Sequence, residues 1–260
     1  MKPLSKVIFF LIVVAFFAST FLENKDELKP ENTASINKQE MYSARGVDNT
    51  WPTLKEGQSS VSDNLNMKNY YLVFDASGSM ENSQCSSGQS KIAVAKNSVI
   101  EFIKKIPADA NIGLNVFDST GSYERVSLGQ QSREKIIAEI QRAQAGGGTP
   151  LESAIDTGYH SLSKQAVSQL GYGEYHMVVI TDGEASSGED PQFTVKQMLT
   201  RSPVVLHTIG FCISGQHSLN QAGYTLYKAA GNPAELTKGL DSVLAEAPDF
   251  NVDAFEGQPQ

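Results

Sequence analysis

Apolar and polar positions change period along this chain, and the changes mark out strands and helices. "NYYLVF" (69–74) is an apolar run of strand length. "SKIAVAKNSVIEFIKKI" (90–106) follows at helical spacing, with Ile92, Ala95, Val99, Phe102, Ile103 and Ile106 on one face. Its lysines are expected on the opposite, wet face. "ANIGLNVFD" (110–118) predicts a second strand and "ERVSLG" (124–129) a third. Ser132 is placed to cap "SREKIIAEIQRAQA", and Pro150 suits the first turn of "TPLESAIDTGYHSL". "EYHMVVITDG" (174–183) is almost continuously hydrophobic, the pattern of a parallel strand buried on both faces. "PQFTVKQMLT" predicts a helix, "VVLHTIGF" (204–211) a strand and "TLYKAA" a short edge strand. "PAELTKGLDSVLAEA" closes as a helix opened by Pro233.

The order β-α-β-β-α-α-β-α-β-β-α predicts an α/β fold: an open, mostly parallel six-stranded sheet sandwiched by helices, Rossmann-like in architecture. In such sheets ligands sit at the carboxyl ends of strands. Two stretches lie outside this pattern. "VIFFLIVVAFFASTFL" (7–22) follows Lys2 and Lys6 and spans about 24 Å as a helix, against a bilayer core of about 30 Å. Leu4 and a snorkelling Lys6 bring it near full length. Residues 1–22 are expected to be an uncleaved signal anchor, holding the membrane through residues 4–22. A cleaved signal peptide, giving a periplasmic or secreted product, is the alternative; Ala18 and Thr20 fit a cleavage site poorly. Lysines before the run and "ENKDE" after it put the following domain outside the cytoplasm. Residues 23–66 read as a polar tether, 67–247 as the domain and 248–260 as a tail. Trp51 in the tether is expected to pack on the domain's flank.

Composition narrows the function. The 260 residues are 40 % hydrophobic and 19 % charged, a globular profile. A net charge of −8 without basic clusters excludes nucleic acid as a partner. An enzyme is not expected either. No G-x-S-x-G elbow surrounds a serine, "AGGGTP" lacks the lysine of a phosphate loop, and His160, His176, His207 and His217 are scattered.

Three oxygen-rich segments fall on loops of the expected carboxyl edge. "FDASGSM" supplies Asp75, Ser77 and Ser79, "AGGGTP" supplies Thr149, and "ITDGE" supplies Asp182. Two carboxylates and three hydroxyls make a hard, all-oxygen set of charge about −2, suited to Mg²⁺, with Mn²⁺ or Ca²⁺ as alternatives. "DASGSM", "GGTP" and "TDGE", in that order, resemble the metal-ion-dependent adhesion site of von Willebrand factor A domains, here of a bacterial membrane-anchored type. The resemblance covers roughly residues 67–247. It implies that Asp75, Ser77, Ser79, Thr149 and Asp182 surround the ion, with Ser77 and Ser79 as direct ligands and one or both aspartates acting through water. It further implies that a partner protein supplies an acidic side chain to the metal, in protein–protein interaction or adhesion. The alternative is a metal-dependent scaffold subunit of a membrane-associated assembly or secretion complex. Beyond Asp182, the run Glu184, Glu189 and Asp190 reads as a solvated acidic loop, or else as a rim that selects partners by charge.

Cys85 and Cys212 both fall at the same edge of the sheet. In an oxidising compartment they are disulfide candidates, and two free buried thiols are the alternative.

Overall fold

A computed structural model describes residues 50–53, 61–130, 133–213 and 215–245. Residues 1–22, Ser132 and the tail 248–260 lie outside the described residues. Among the described residues no helix is long and apolar enough to cross a membrane.

The chain runs β1 (Lys68–Asp75), a 3₁₀ turn (Gly78–Glu81), α1 (Lys91–Lys105), β2 (Asn111–Asp118), β3 (Gly121–Gly129), α2 (Arg133–Arg142), α3 (Leu151–Ser168), β4 (Glu174–Thr181), α4 (Pro191–Arg201), β5 (Val205–Phe211), β6 (Leu226–Ala230) and α5 (Pro233–Ala245). The six strands form one sheet in the order β3-β2-β1-β4-β5-β6. Only β3 runs antiparallel, against β2. The expected open, mostly parallel sheet is therefore present. β1 lies at its centre, pairing Phe74 with Val116 of β2 and Ile180 of β4.

Alternation along the strands divides the interior into two cores. Tyr70, Leu72 and Phe74 of β1 face α1, α2 and α5, where Val99, Phe102, Ile140 and Leu240 are buried. Tyr71 and Val73 face the other way, against Ala154, Leu162, Val195 and Met198 of α3 and α4. A strand with both faces covered cannot alternate apolar with polar, which is why β4 reads as a continuous hydrophobic run. Gly158 of α3 allows that helix to approach: a Cβ there would stand 2.7 Å from Cδ1 of Tyr71.

Several boundaries differ from the pattern-based reading. β3 starts three residues early, at Gly121, because Asp118 and Gly121 pair across a tight turn that extends the ladder. α3 continues to Ser168, its buried stripe carrying on through Ala166. Pro150 is the residue before the first helical turn rather than within it. The 3₁₀ turn was not foreseen, since four residues are too few to show a period.

Packed structure reaches upstream of Met67. Trp51 lies edge-on to Tyr175, ring centroids 4.9 Å apart, and its Nε1 donates to Ser163 Oγ at 3.2 Å. The Ser62 amide donates to the Ser168 carbonyl at 2.8 Å. Trp51 thus packs on the flank as expected. Trp→Ala at a fully buried site costs about 3–5 kcal/mol, so at this half-buried one Trp51→Ala should cost about 2–3 kcal/mol. Urea unfolding of the two proteins tests this; equal midpoints would mean the contact contributes nothing.

Candidate metal centre

The loops at the carboxyl edge are tied to each other through the backbone. The Gly146 amide donates to the Ala76 carbonyl at 3.0 Å, and the Gly78 amide to the Gly147 carbonyl at 3.2 Å. This closeness needs glycine. Gly147 holds φ +75°, and a Cβ on Gly148 would stand 2.7 Å from Ser186 Oγ. Ser186 also clamps Thr149, whose amide donates to Ser186 Oγ at 2.8 Å and whose carbonyl accepts from the Ser186 amide at 3.0 Å. Behind the glycine loop, Asp118 accepts from the Thr120 amide at 2.8 Å, from Arg125 at 2.9 Å and from the Gln144 amide at 3.4 Å. Burial raises the Asp118 pKa, but these donors outweigh it and hold the carboxyl below its ordinary value.

Four of the five expected residues form one hydrogen-bonded chain. Ser77 Oγ and Ser79 Oγ are 3.0 Å apart, and Ser79 Oγ donates to Asp182 Oδ1 at 2.6 Å. Asp75 is fully buried; its Oδ1 accepts from the Ser77 amide at 2.7 Å and its Oδ2 from Thr181 Oγ1 at 2.6 Å. Desolvation pushes the Asp75 carboxyl up to about 6, with the Asp182 charge adding to the rise and the Ser77 and Thr181 donors opposing it. Thr149 enters through its loop: among the described residues no hydrogen bond joins its hydroxyl to the other four.

These residues fit a hard divalent cation. Ser79 Oγ stands within hydrogen-bonding distance of both Ser77 Oγ and Asp182 Oδ1, while both Asp75 oxygens are already engaged in ordering the loop. With that division, a bound cation would take the hydroxyls directly, and Asp75 would order the loop that carries them. Among the described residues no group of three or more His, Cys, Asp or Glu is placed to hold a metal ion, so hydroxyls would dominate the donor set. A cation bound mainly by neutral oxygens stays electrophilic toward an external carboxylate.

Three neighbours of the site were not foreseen. The first corrects the expectation that the α1 lysines face water. Lys91 is buried, and its Nζ lies 2.8 Å from Asp182 Oδ2. It opens the helix, so its side chain reaches back over the preceding loop rather than along the outer face. The second is His217, whose Nδ1 accepts from the Leu219 amide at 3.0 Å. Nε2 therefore carries the proton and donates to the Gly183 carbonyl at 2.8 Å, steadying the loop that bears Asp182. No local pattern marks this histidine. The third is the bracing role of the acidic run, which stays at least partly exposed while tying loops together. Glu189 accepts from the Ser153 amide and hydroxyl at 3.0 and 2.9 Å, and Glu184 from the Ser218 hydroxyl at 2.7 Å. His176 and His207 meet each other at 3.2 Å inside the sheet, away from these loops.

Cys85 and Cys212 are joined in a disulfide, with Cα atoms 6.0 Å apart, and among the described residues no cysteine is free.

An open α/β sheet with β3 antiparallel at its edge carries an all-oxygen cluster where β1 and β4 end. Residues 69–255 match the von Willebrand factor type A domain model, and the chain belongs to that family. It is 28 % identical over 171 residues to the uncharacterized protein YwmD of Bacillus subtilis (strain 168), covering 59 % of this chain and 73 % of YwmD. Among solved structures it is similar to the pilus adhesin SpaC of Lactobacillus rhamnosus GG, with TM-score 0.56 and 17 % identity over 73 % of this chain and 31 % of SpaC. It is similar to the same degree, TM-score 0.56 and 17 % identity, to proximal thread matrix protein 1 of the mussel byssus with a zinc-occupied metal-ion-dependent adhesion site, over 73 % of this chain and 49 % of that one. At these identities the structural likeness speaks to the fold alone.

Proposed function

We propose that this domain binds a partner protein through a divalent cation, Mg²⁺ in the first place, held by Ser77, Ser79, Thr149, Asp75 and Asp182. The observation that carries the reading is the chain of oxygens from Ser77 through Ser79 to Asp182, on loops at the carboxyl edge of the sheet. The zinc-occupied site of the mussel protein and the adhesin SpaC, both sharing this fold, support it. The metal acts as a binding group. It stays electrophilic because neutral hydroxyls dominate its shell, and it accepts a Glu or Asp carboxylate from the partner. No step of catalysis is assigned to the site. The test is affinity capture with the domain from cell extracts in Mg²⁺ and in EDTA. A partner held only in Mg²⁺ supports the metal bridge; one held equally in both points instead to a scaffold subunit of a membrane-associated assembly.

The apolar residues 4–22, which lie outside the described residues, are proposed to anchor the chain with the domain outside the cytoplasm. The full-length protein should then sediment with membranes through a high-salt wash and leave them only in detergent. Recovery in the salt supernatant would overturn the anchor.

A further inference from the structure

Lys91 sits where local rules disfavour it. Lysine is almost never buried unless paired, and this one, its side chain 6 % exposed, is held inside by its pair with Asp182. It also occupies the first position of α1, after the cap Ser90, where the helix dipole disfavours a positive charge. Local rules are commonly broken where a site requires it. The backbone confirms that the position is built: the Lys91 amide donates to the Asn82 carbonyl at 2.7 Å, closing the loop that follows the 3₁₀ turn. Its ammonium then holds Asp182 Oδ2 at 2.8 Å, while Asp182 Oδ1 accepts from Ser79 at 2.6 Å.

Resting on the cation-site reading above, we infer that Lys91 is a built-in counter-charge that lowers the site's metal affinity and leaves the loaded site cationic. Two carboxylates and one ammonium give a formal charge of about −1 rather than −2. A divalent cation then brings the site to about +1, and one carboxylate from a partner neutralises it. Without Lys91 the loaded site would already be neutral and would attract that carboxylate less. Lys91 thus moves affinity from the metal to the partner. It also orients Asp182, keeping Oδ2 occupied so that only Oδ1 faces the serines.

The test uses Mn²⁺ as the probe, read by the electron paramagnetic resonance signal of the free ion, on the full-length protein. Lys91→Met removes the charge at similar length, and Lys91→Gln removes it while keeping a donor should the methionine variant fold poorly. Removing a unit charge that stands 2.8 Å from a carboxylate of the site would change its affinity for a divalent ion substantially even at effective ε near 20. Both variants should therefore bind Mn²⁺ at least about tenfold more tightly than wild type. Lys91→Arg, which keeps the charge, should bind as wild type does. A purely structural lysine would lower melting temperature without tightening Mn²⁺ binding. Neutral variants that bind no more tightly than wild type overturn the counter-charge. Absence of Mn²⁺ binding in wild type and variants alike overturns the cation-site reading itself, and with it this inference.

Discussion

Asp75→Ala should reduce Mg²⁺-dependent capture of the partner to the level seen in EDTA while leaving the domain folded. The carboxylate orders two parts of the site at once, through the Ser77 amide at 2.7 Å and the Thr181 hydroxyl at 2.6 Å. Thr181 is the neighbour of Asp182, so removing Asp75 loosens both loops that supply oxygens. Stability should change far less. Two hydrogen bonds are lost, each worth about 1 kcal/mol net, and one buried carboxylate with its repulsion from Asp182 is removed with them. Those terms oppose each other, leaving a net change within about 2 kcal/mol. Thr149→Ala removes one hydroxyl from a loop held by its backbone, so it should also weaken capture, by at least about tenfold, with the melting curve unmoved. Circular dichroism provides the folding control for both. Undiminished capture by folded Asp75→Ala would rule out the metal bridge.

The largest stability effect is expected from the disulfide. Cys85 lies in the loop between the 3₁₀ turn and α1, and Cys212 immediately after β5, 127 residues along the chain. Closing a loop of that size removes unfolded-state entropy worth about 4–5 kcal/mol in the chain-entropy model. The Cys85→Ser, Cys212→Ser double variant should therefore melt roughly 10–20 °C below wild type, at about 2–4 °C per kcal/mol for a domain of this size. Wild type treated with reductant should fall to the same temperature. Alkylation without reductant should label neither cysteine. A double variant as stable as wild type would show that the loop is held by other contacts, such as the hydrogen bond from the Lys91 amide to Asn82 at 2.7 Å.

Much of this molecule was legible before its structure. The runs that became β1, β4 and β5 are strand-length and apolar because both of their faces are covered, and that requirement is written into consecutive residues. The helical stripe of α1 is equally local: Val99, Phe102 and Ile103 meet one core because a helix repeats every 3.6 residues. Topology followed from the alternation of elements, and topology placed the ends of β1 and β4 side by side. Asp75, Ser77, Ser79 and Asp182 could therefore be nominated together although 103 residues separate Ser79 from Asp182. Turn geometry decided where β3 begins, and a proline before a helix looks much like one inside its first turn.

The remainder depended on contacts that no window of sequence contains. Trp51 has its place because Ser163 and Tyr175 happen to form a seat for it, and His217 because Gly183 presents a carbonyl. Glu189 reads as part of a solvated acidic loop, and only the fold brings Ser153 to it. Lys91 is the clearest case. Helical periodicity assigned the lysines of its helix to the solvent face, since periodicity describes the direction of a side chain from its own axis only. The position of Asp182, 91 residues away, turned this one inward. Sequence determined which residues form strands, helices and oxygen-rich loops, because those depend on near neighbours. Tertiary structure alone decided which charges meet at the site, because electrostatic pairing depends on distance in space and not along the chain.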